Sequence, residues 1–417
     1  MKFSRYNVLL DHQKGVDIVY NSLSDKFLFL KKGIWQSLQD GMPDEQSCMD
    51  NLKAGGFLVQ DSVDELQVYK RRTLAEEYGS TRSHLIINPT INCNFNCWYC
   101  YESHLPSKMS GETMKRVFKL IKKLCAKSEN LTLSFFGGEP FLYYDDVMLP
   151  IIKFGYEEAK RAGVKFSCNC TTNGSLLTHE RIEQLLQYGF NFAQITLDGD
   201  EPTHDANRHF VGGKGSYKII VSTIKELIEN GIKVTLRINY TKENIDSVGK
   251  IPESFSDLTE DAKRCLDVSF HKVWQDVGAC SEDIGVAVDA FTNVGILASE
   301  QLFGERCYGD LRSSAVVNYN GDVYKCTAVD FENSRRDGYL SQDGDIVWEN
   351  DALEKRMASK FTNKPCLSCA IFPICHGGCT SRTLENEKDF CILGFDEKQK
   401  EDVVMNKLLY NIRYVWK

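Results

Sequence analysis

No stretch of this chain is apolar for long enough to span a bilayer, and the opening Met1-Lys2-Phe3-Ser4-Arg5-Tyr6 lacks the long apolar core of a secretory signal. A membrane protein is therefore not expected, and the cytoplasm is the expected location. An excess of positive charge is also missing. Fifty Lys and Arg stand against 58 Asp and Glu, a formal net charge of −8 with a pI near 5.6, which argues against a nucleic-acid groove as the main surface. Nor is the composition that of a disordered chain, since 42% apolar and 26% charged residues are typical of globular proteins. At 417 residues the chain exceeds what one hydrophobic core usually supports, so two or three domains are expected.

What is abundant is cysteine, sixteen in all. Intracellular thiols stay reduced, so this many in one chain points to metal chemistry rather than disulfides. Cys93, Cys97 and Cys100 form C-x3-C-x2-C directly after the strand-like Leu85-Ile86-Ile87-Asn88-Pro89-Thr90. A structural zinc site normally takes four protein ligands, and no fourth Cys or His lies close by. Three thiolates on a [4Fe-4S] cluster would instead leave one iron open for a substrate or cofactor. The spacing, with an aromatic before the last Cys, resembles the signature of the radical S-adenosylmethionine (SAM) superfamily. That resemblance implies that the open iron chelates the amino and carboxylate groups of SAM, and that Tyr99 contacts the adenine largely through its backbone.

From His84 to about Trp274 the chain alternates strand and helix. Met114, Val117, Phe118, Ile121, Leu124 and Cys125 make one apolar helical face, and Ile220, Ile224, Leu227 and Ile228 another. Gly163, Gly189 and Gly231 each stand where a helix C-terminus needs a left-handed residue before an apolar strand begins. Strands are predicted at 84–90, 130–136, 165–171, 192–198, 233–240 and 266–274, giving six βα units. Such alternation favours a parallel sheet covered by helices. The resemblance selects a partial, TIM-like (β/α)6 barrel, with active groups at the C-terminal strand ends.

Gly137-Gly138-Glu139-Pro140 falls at the end of the second strand, where two glycines admit a ligand to the backbone and a carboxylate presents acceptors to an amine. By resemblance this motif binds the methionyl amino group of SAM. Strand three ends in Thr171-Thr172-Asn173-Gly174 and strand four in Thr196-Leu197-Asp198-Gly199. The run from Leu197 to Arg208 resembles a stretch common in the peptide-modifying branch of the family. Asn173 and Arg208 are the candidates, by position, for the SAM ribose and carboxylate. His204 and His209 are expected at the surface, and no catalytic acid or base is assigned.

Toward the C-terminus, Cys307, Gly321 and Cys326, then Cys366, Cys369, Cys375, Cys379 and Cys391, spell C-x13-G-x4-C, gap, C-x2-C-x5-C-x3-C, gap, C. These intervals look like the SPASM domain, which carries auxiliary [4Fe-4S] clusters. The family pattern assigns Cys366, Cys369, Cys375 and Cys391 to one complete cluster and Cys307, Cys326 and Cys379 to another. The fourth ligand of the latter is Cys280, Cys265 or none, leaving an open iron. With the first motif this makes three [4Fe-4S] clusters. The six remaining cysteines, Cys48, Cys125, Cys168, Cys170, Cys265 and Cys280, are expected mostly as small buried hydrophobes.

Residues 1–70 read as a small α+β module of three short strands and then helices, a pattern resembling the winged-helix leader-peptide binding element of peptide-modifying enzymes. A structural cap on the catalytic domain is the alternative. The expected order is then 1–70, a radical SAM core at 84–275, a bridging segment at 276–306 and a SPASM domain at 307–417. The resemblance implies a maturase that cleaves SAM reductively and crosslinks a ribosomally made precursor peptide, with a flavodoxin or ferredoxin as electron donor. Formylglycine formation of the sulfatase-maturase type, and a non-catalytic iron-sulfur scaffold, are the competing functions. No nucleic acid or membrane is expected as partner.

Overall fold

The computed structural model describes residues 1–12, 15–41, 45–79, 81–276, 284–299, 306–386 and 388–416. Cys280 lies outside them. The chain divides into two compact units, neither continuous in sequence: Met1–Gly79 with Leu302–Arg312 and Glu354–Lys417, and Ser80–Gln301 with Ser313–Leu353. Residues 307–417 therefore do not form a unit by themselves.

In the unit that holds both termini, β1 (Lys2–Phe3) pairs with β5 (Leu58–Val59), and β2 (Asn7–His12), β3 (Val16–Asn21) and β4 (Lys26–Lys31) form an antiparallel sheet in that order. Three strands followed by helices are what the sequence pattern of residues 1–70 predicts. The middle strand buries both of its faces, which is why it reads as nearly continuous apolar sequence. Val19 packs with Trp35, Leu52, Phe57 and Leu58, from the segment that follows the sheet. Ile18 and Tyr20 face the other way and join Leu10 in a core with Ile371, Ile374, Val403, Val404 and Leu408. The last three belong to the helix Glu397–Tyr410, which Asp396 and Gln399 start with a reciprocal capping box. The N-terminal sheet and the C-terminal cysteine segment thus share one hydrophobic core.

The other unit is built on β6 (Arg82–Ile87), β7 (Asn130–Phe135), β8 (Lys165–Thr172), β9 (Phe190–Thr196), β10 (Lys233–Tyr240) and β11 (Leu266–Lys272), parallel neighbours in sequence order. These are the six strands expected. Alternation along them separates two faces: in β10, Val234, Leu236 and Ile238 are buried in the apolar core with Ile220, Ile224 and Leu227 of the helix Tyr217–Glu229, while Thr235, Arg237 and Asn239 alternate with them. Helix Leu149–Ala162 closes as the sequence predicts, on Gly163 with φ 69°, and Gly189 and Gly231 likewise have positive φ.

The sheet is larger than expected. Beyond β11, the helix Gly285–Asn293 leads to β12 (Leu297–Ser299), parallel to β11, so part of the expected bridging segment adds a further βα unit. At the opposite side β13 (Ser314–Val317) pairs in parallel with β6, and β14 (Asp322–Tyr324), β15 (Gly338–Leu340) and β16 (Ile346–Trp348) continue antiparallel. No helix among the described residues is long and apolar enough to cross a membrane.

Candidate functional site

The loop leaving β6 carries Cys93, Cys97 and Cys100, and its backbone is pinned from the segment that follows β9. Phe95 makes an isolated antiparallel bridge with Phe210, Asn96 N–H donates to the His209 carbonyl at 3.2 Å, and Val211 N–H donates to the Asn94 carbonyl at 2.8 Å. The three thiols line one cavity at the C-terminal ends of the parallel strands, together with Tyr99, Gly137, Gly138, Asn173 and Arg208. Burial pushes all three thiols up, Cys100 to about 11. Bare thiolates are costly there, and a positively charged iron-sulfur core relieves that cost, so the residues present fit such a group. Contrary to the expectation that no further Cys or His lies close by, His104 Nε2 is 3.0 Å from Cys100 Sγ.

The turn after β7 sits directly on this loop. Glu139 N–H donates to the Asn92 carbonyl at 2.8 Å, and Gly138 has φ 47° with so little room that an added Cβ would lie 2.1 Å from the Asn92 oxygen. Gly138 N–H donates in turn to Glu102 Oε2 at 2.8 Å. Burial holds Glu102 up to about 7 against that hydrogen bond. Glu139 itself is wholly buried and does not line the cavity. Its carboxylate accepts from Thr172 Oγ1 at 2.8 and 2.9 Å, from Asn173 N–H at 2.8 Å and from Phe141 N–H at 3.0 Å. Glu139 thus braces the end of β8 from beneath, and Pro140 opens the short turn that follows.

Asn173 Nδ2 donates to Asn94 Oδ1 at 2.8 Å and lies 3.9 Å from Cys93 Sγ, which joins the end of β8 to the cysteine loop. Arg208 follows the helix Glu201–Asn207 and donates from Nη1 to the Tyr99 hydroxyl at 2.8 Å. That hydroxyl also donates to Asp198 and accepts from Asn239 Nδ2 at 3.2 Å. The Tyr99 side chain, to which the sequence reading gave no role, ties the cysteine loop to the ends of β9 and β10. Burial alone would lower the Arg208 pKa, but Cys97, Tyr99 and Asp198 hold it well above the ordinary range. His204 is not at the surface. It is fully buried, accepting from Asp198 N–H at 3.2 Å and lying 3.0 Å from Ser216 Oγ, and burial lowers its pKa well below the usual value.

Sequence reasoning missed Glu102, Gln194, Arg237, Asn239 and Lys272, which also line the cavity. A readable signal existed for two strands. Gln194 and Thr196 alternate with Ala193 and Ile195, as Arg237 and Asn239 do with Leu236 and Ile238. The loop after β14 reaches the same neighbourhood: Tyr101 hydroxyl donates to the Thr327 carbonyl at 3.1 Å and Ser103 Oγ to Asp330 at 2.9 Å, placing the segment just after Cys326 beside the one just after Cys100.

In the other unit, Cys366, Cys369, Cys375 and Cys391 line one pocket with Ile371, Phe372 and Ile392, and burial raises Cys366 and Cys375 to about 11. Cys307 and Cys379 are exposed and outside this pocket. Thr380 Oγ1 donates to Asp310 Oδ1 at 2.6 Å, which brings together the segments that follow them. Of the remaining cysteines, Cys125, Cys168 and Cys170 are buried in the apolar core as expected, and Cys48 and Cys265 pack against apolar clusters.

Residues 87–253 match the sequence model of the radical SAM superfamily. Among characterised proteins, the Fe-coproporphyrin III synthase of Methanosarcina barkeri is 28% identical over 205 residues, 48% of this chain and 47% of that protein. The PqqA peptide cyclase of Bradyrhizobium diazoefficiens is 22% identical over 334 residues, covering 74% of this chain and 84% of that one. The chain spans about half the length of the first curated relatives it matches. The crystal structure of Streptococcus suis SuiB bound to precursor peptide SuiA has a similar fold, with a TM-score of 0.53 at 14% identity over 93% of this chain and 97% of that one.

Proposed function

The chain carries a radical SAM domain over residues 87–253, and from that premise we propose that it modifies a ribosomally made peptide oxidatively, by a crosslink through sulfur or carbon. The observation that supports the reading best is the convergence of Cys93, Cys97, Cys100, Gly137, Gly138, Asn173 and Arg208 on one cavity. When bound there, a reduced [4Fe-4S] cluster and SAM supply reductive cleavage of the sulfonium and a 5′-deoxyadenosyl radical that abstracts hydrogen. The chain's own part is to bind, orient and exclude. Gly137 and Gly138 let a ligand approach the backbone, while Asn173 and Arg208 offer donors to the ribose and carboxylate. The Tyr99 hydroxyl network holds the cysteine loop against the strand ends. Tyr101 and Trp274, stacked 5.8 Å apart, wall part of the cavity.

Cys366, Cys369, Cys375 and Cys391 are assigned a complete auxiliary cluster, and the pocket they line supports it. Cys307, Cys326 and Cys379 are assigned a third cluster from their spacing in sequence. Auxiliary clusters suit an oxidative outcome, since they can accept the electron left on a product radical. A flavodoxin or ferredoxin is the proposed reductant. The peptide substrate is supported by a relative named a peptide cyclase that spans most of the chain, and by a similarly folded protein solved with a precursor peptide. The test is mass spectrometry of short peptides encoded beside this gene, after anaerobic incubation with SAM and dithionite. Loss of a hydrogen pair with fragmentation blocked between two residues supports crosslinking. An aldehyde in place of a Cys or Ser side chain would assign formylglycine chemistry instead, and no SAM cleavage under any reducing condition would leave a scaffold.

A further inference from the structure

The cavity holds a second arginine that is ion-paired with no carboxylate among the described residues. Arg237, on β10, is partly buried, and its Nε donates to Asn239 Oδ1 at 2.9 Å. Neither terminal nitrogen has a partner among the described residues. Lys272, at the end of the adjacent strand β11, lines the same cavity. The one carboxylate that lines it among the described residues, Glu102, already accepts from Gly138 N–H. Asp198, the buried carboxylate whose charge reaches Arg237, is engaged by the Tyr99 hydroxyl and by Asn239 N–H.

The two arginines differ in the way that matters. For Arg208, Cys97, Tyr99 and Asp198 overcome the effect of burial, whereas for Arg237 burial prevails over Tyr101, Tyr99 and Asp198 and its pKa falls. A partly buried guanidinium with no described carboxylate against it is costly to keep, and a fork of N–H donors matches a carboxylate. We infer that Arg237 is a subsite for a carboxylate of the peptide substrate, so that the modified segment carries an Asp or Glu at or next to the reacting residue. This rests on the peptide reading above. The methionyl carboxylate of SAM is the other source of the same chemistry. Arg208 is among the leading charges felt by Cys93, Cys97 and Cys100. A carboxylate held at the cluster is thus the natural partner of Arg208, and the binding measurements below separate that source from the substrate.

The experiment presents the reconstituted full chain, with SAM, to a pool of acetylated and amidated heptapeptides that carry Asp, Glu, Asn or Gln at the centre and randomised flanks. Retained peptides are counted by mass spectrometry. Acidic members should be retained roughly tenfold over their amide counterparts, the order expected of one charge-assisted hydrogen-bonded pair. The chain's net charge of −8 works against such a preference, so its appearance would be local. R237Q should erase the preference and R237K should restore part of it, with circular dichroism confirming that both fold. Equal retention of acid and amide by the unaltered protein overturns the inference without needing any variant. So does an acid preference that persists in R237Q while SAM affinity drops tenfold, which would give the guanidinium to SAM. Retention of no peptide of any kind would defeat the peptide reading itself, a result distinct from retention without preference.

Discussion

Single residues decide whether the cavity can work. Gly138 has a positive φ and no room for a Cβ against the Asn92 oxygen, so Gly138→Ala is expected to displace the turn and weaken SAM binding at least tenfold, read by equilibrium binding to the reconstituted protein. Cys93→Ala, Cys97→Ala or Cys100→Ala should abolish SAM cleavage while leaving the iron bound by the C-terminal cysteines, and normal cleavage in the triple variant would refute the assignment of the site. His84, on β6 with Nε2 2.6 Å from Ser134 Oγ, is lowered by burial to about 4. Its unfolded value is about 6.5, so the unfolded chain binds the extra proton first as pH falls. The contribution of neutral His84 is complete above that value and is lost between about 6.5 and 4, with a slope of at most about 1.4 kcal/mol per pH unit. Denaturant titrations of H84Q should show a shallower acid limb across that window, and an unchanged limb would show that His84 does not control it.

At the scale of elements, the shared core of the N-terminal sheet and the C-terminal segment changes how the small module must be tested. Deleting residues 1–70 would strip Leu10, Ile18 and Tyr20 from Ile371, Ile374 and the helix Glu397–Tyr410, so lost peptide binding after deletion would not be evidence of leader recognition. Point changes are cleaner. Ile18→Ala should cost about 2–5 kcal/mol in chemical denaturation and, because Cys369 and Cys375 pack against the same cluster, should lower the iron retained by Cys366, Cys369, Cys375 and Cys391. Unaltered iron content in a destabilised variant would show the pocket to be independent of the sheet. Leader recognition by strand addition remains a proposal for this module, with β4 as an outer strand and Phe29 half exposed on it. Phe29→Ser should weaken precursor binding while sparing substrate-free SAM cleavage.

For the whole molecule, the expected cofactor load is three [4Fe-4S] clusters after anaerobic reconstitution, and an iron count near one cluster would remove the auxiliary assignments. The two units each contribute cysteines to that load, but they are assembled from alternating stretches of chain. The strands from β13 to β16 belong to the same unit as β6, and the pocket of Cys366 and Cys391 to the same unit as β3. A truncation at residue 306 is therefore expected to damage both units rather than yield a free catalytic core, measurable as loss of cooperative unfolding and of SAM binding together.

What the sequence determined by itself was local or periodic. Six strands, the helices between them, the glycines that close those helices and the C-x3-C-x2-C loop after β6 follow from apolar spacing and turn chemistry that neighbouring residues impose on one another. The placement of Gly137, Gly138 and Asn173 just past strand ends followed from one rule, while Arg208, beyond the helix Glu201–Asn207, was chosen by its position in a stretch that resembles the family. Tertiary structure decided what depends on distant pairing. Three-residue strands such as β12, β14 and β15 carry too little pattern to be read, and they join the sheet because edges already formed by β11 and β13 offer unpaired backbone groups. The burial of His204 and the role of Glu139 as a brace were likewise hidden, because a polar residue reads as exposed until partners such as Ser216 and Thr172 are brought to it. Arg237 shows the same limit most sharply: its strand was legible, while the cavity its side chain lines is assembled from groups remote in sequence.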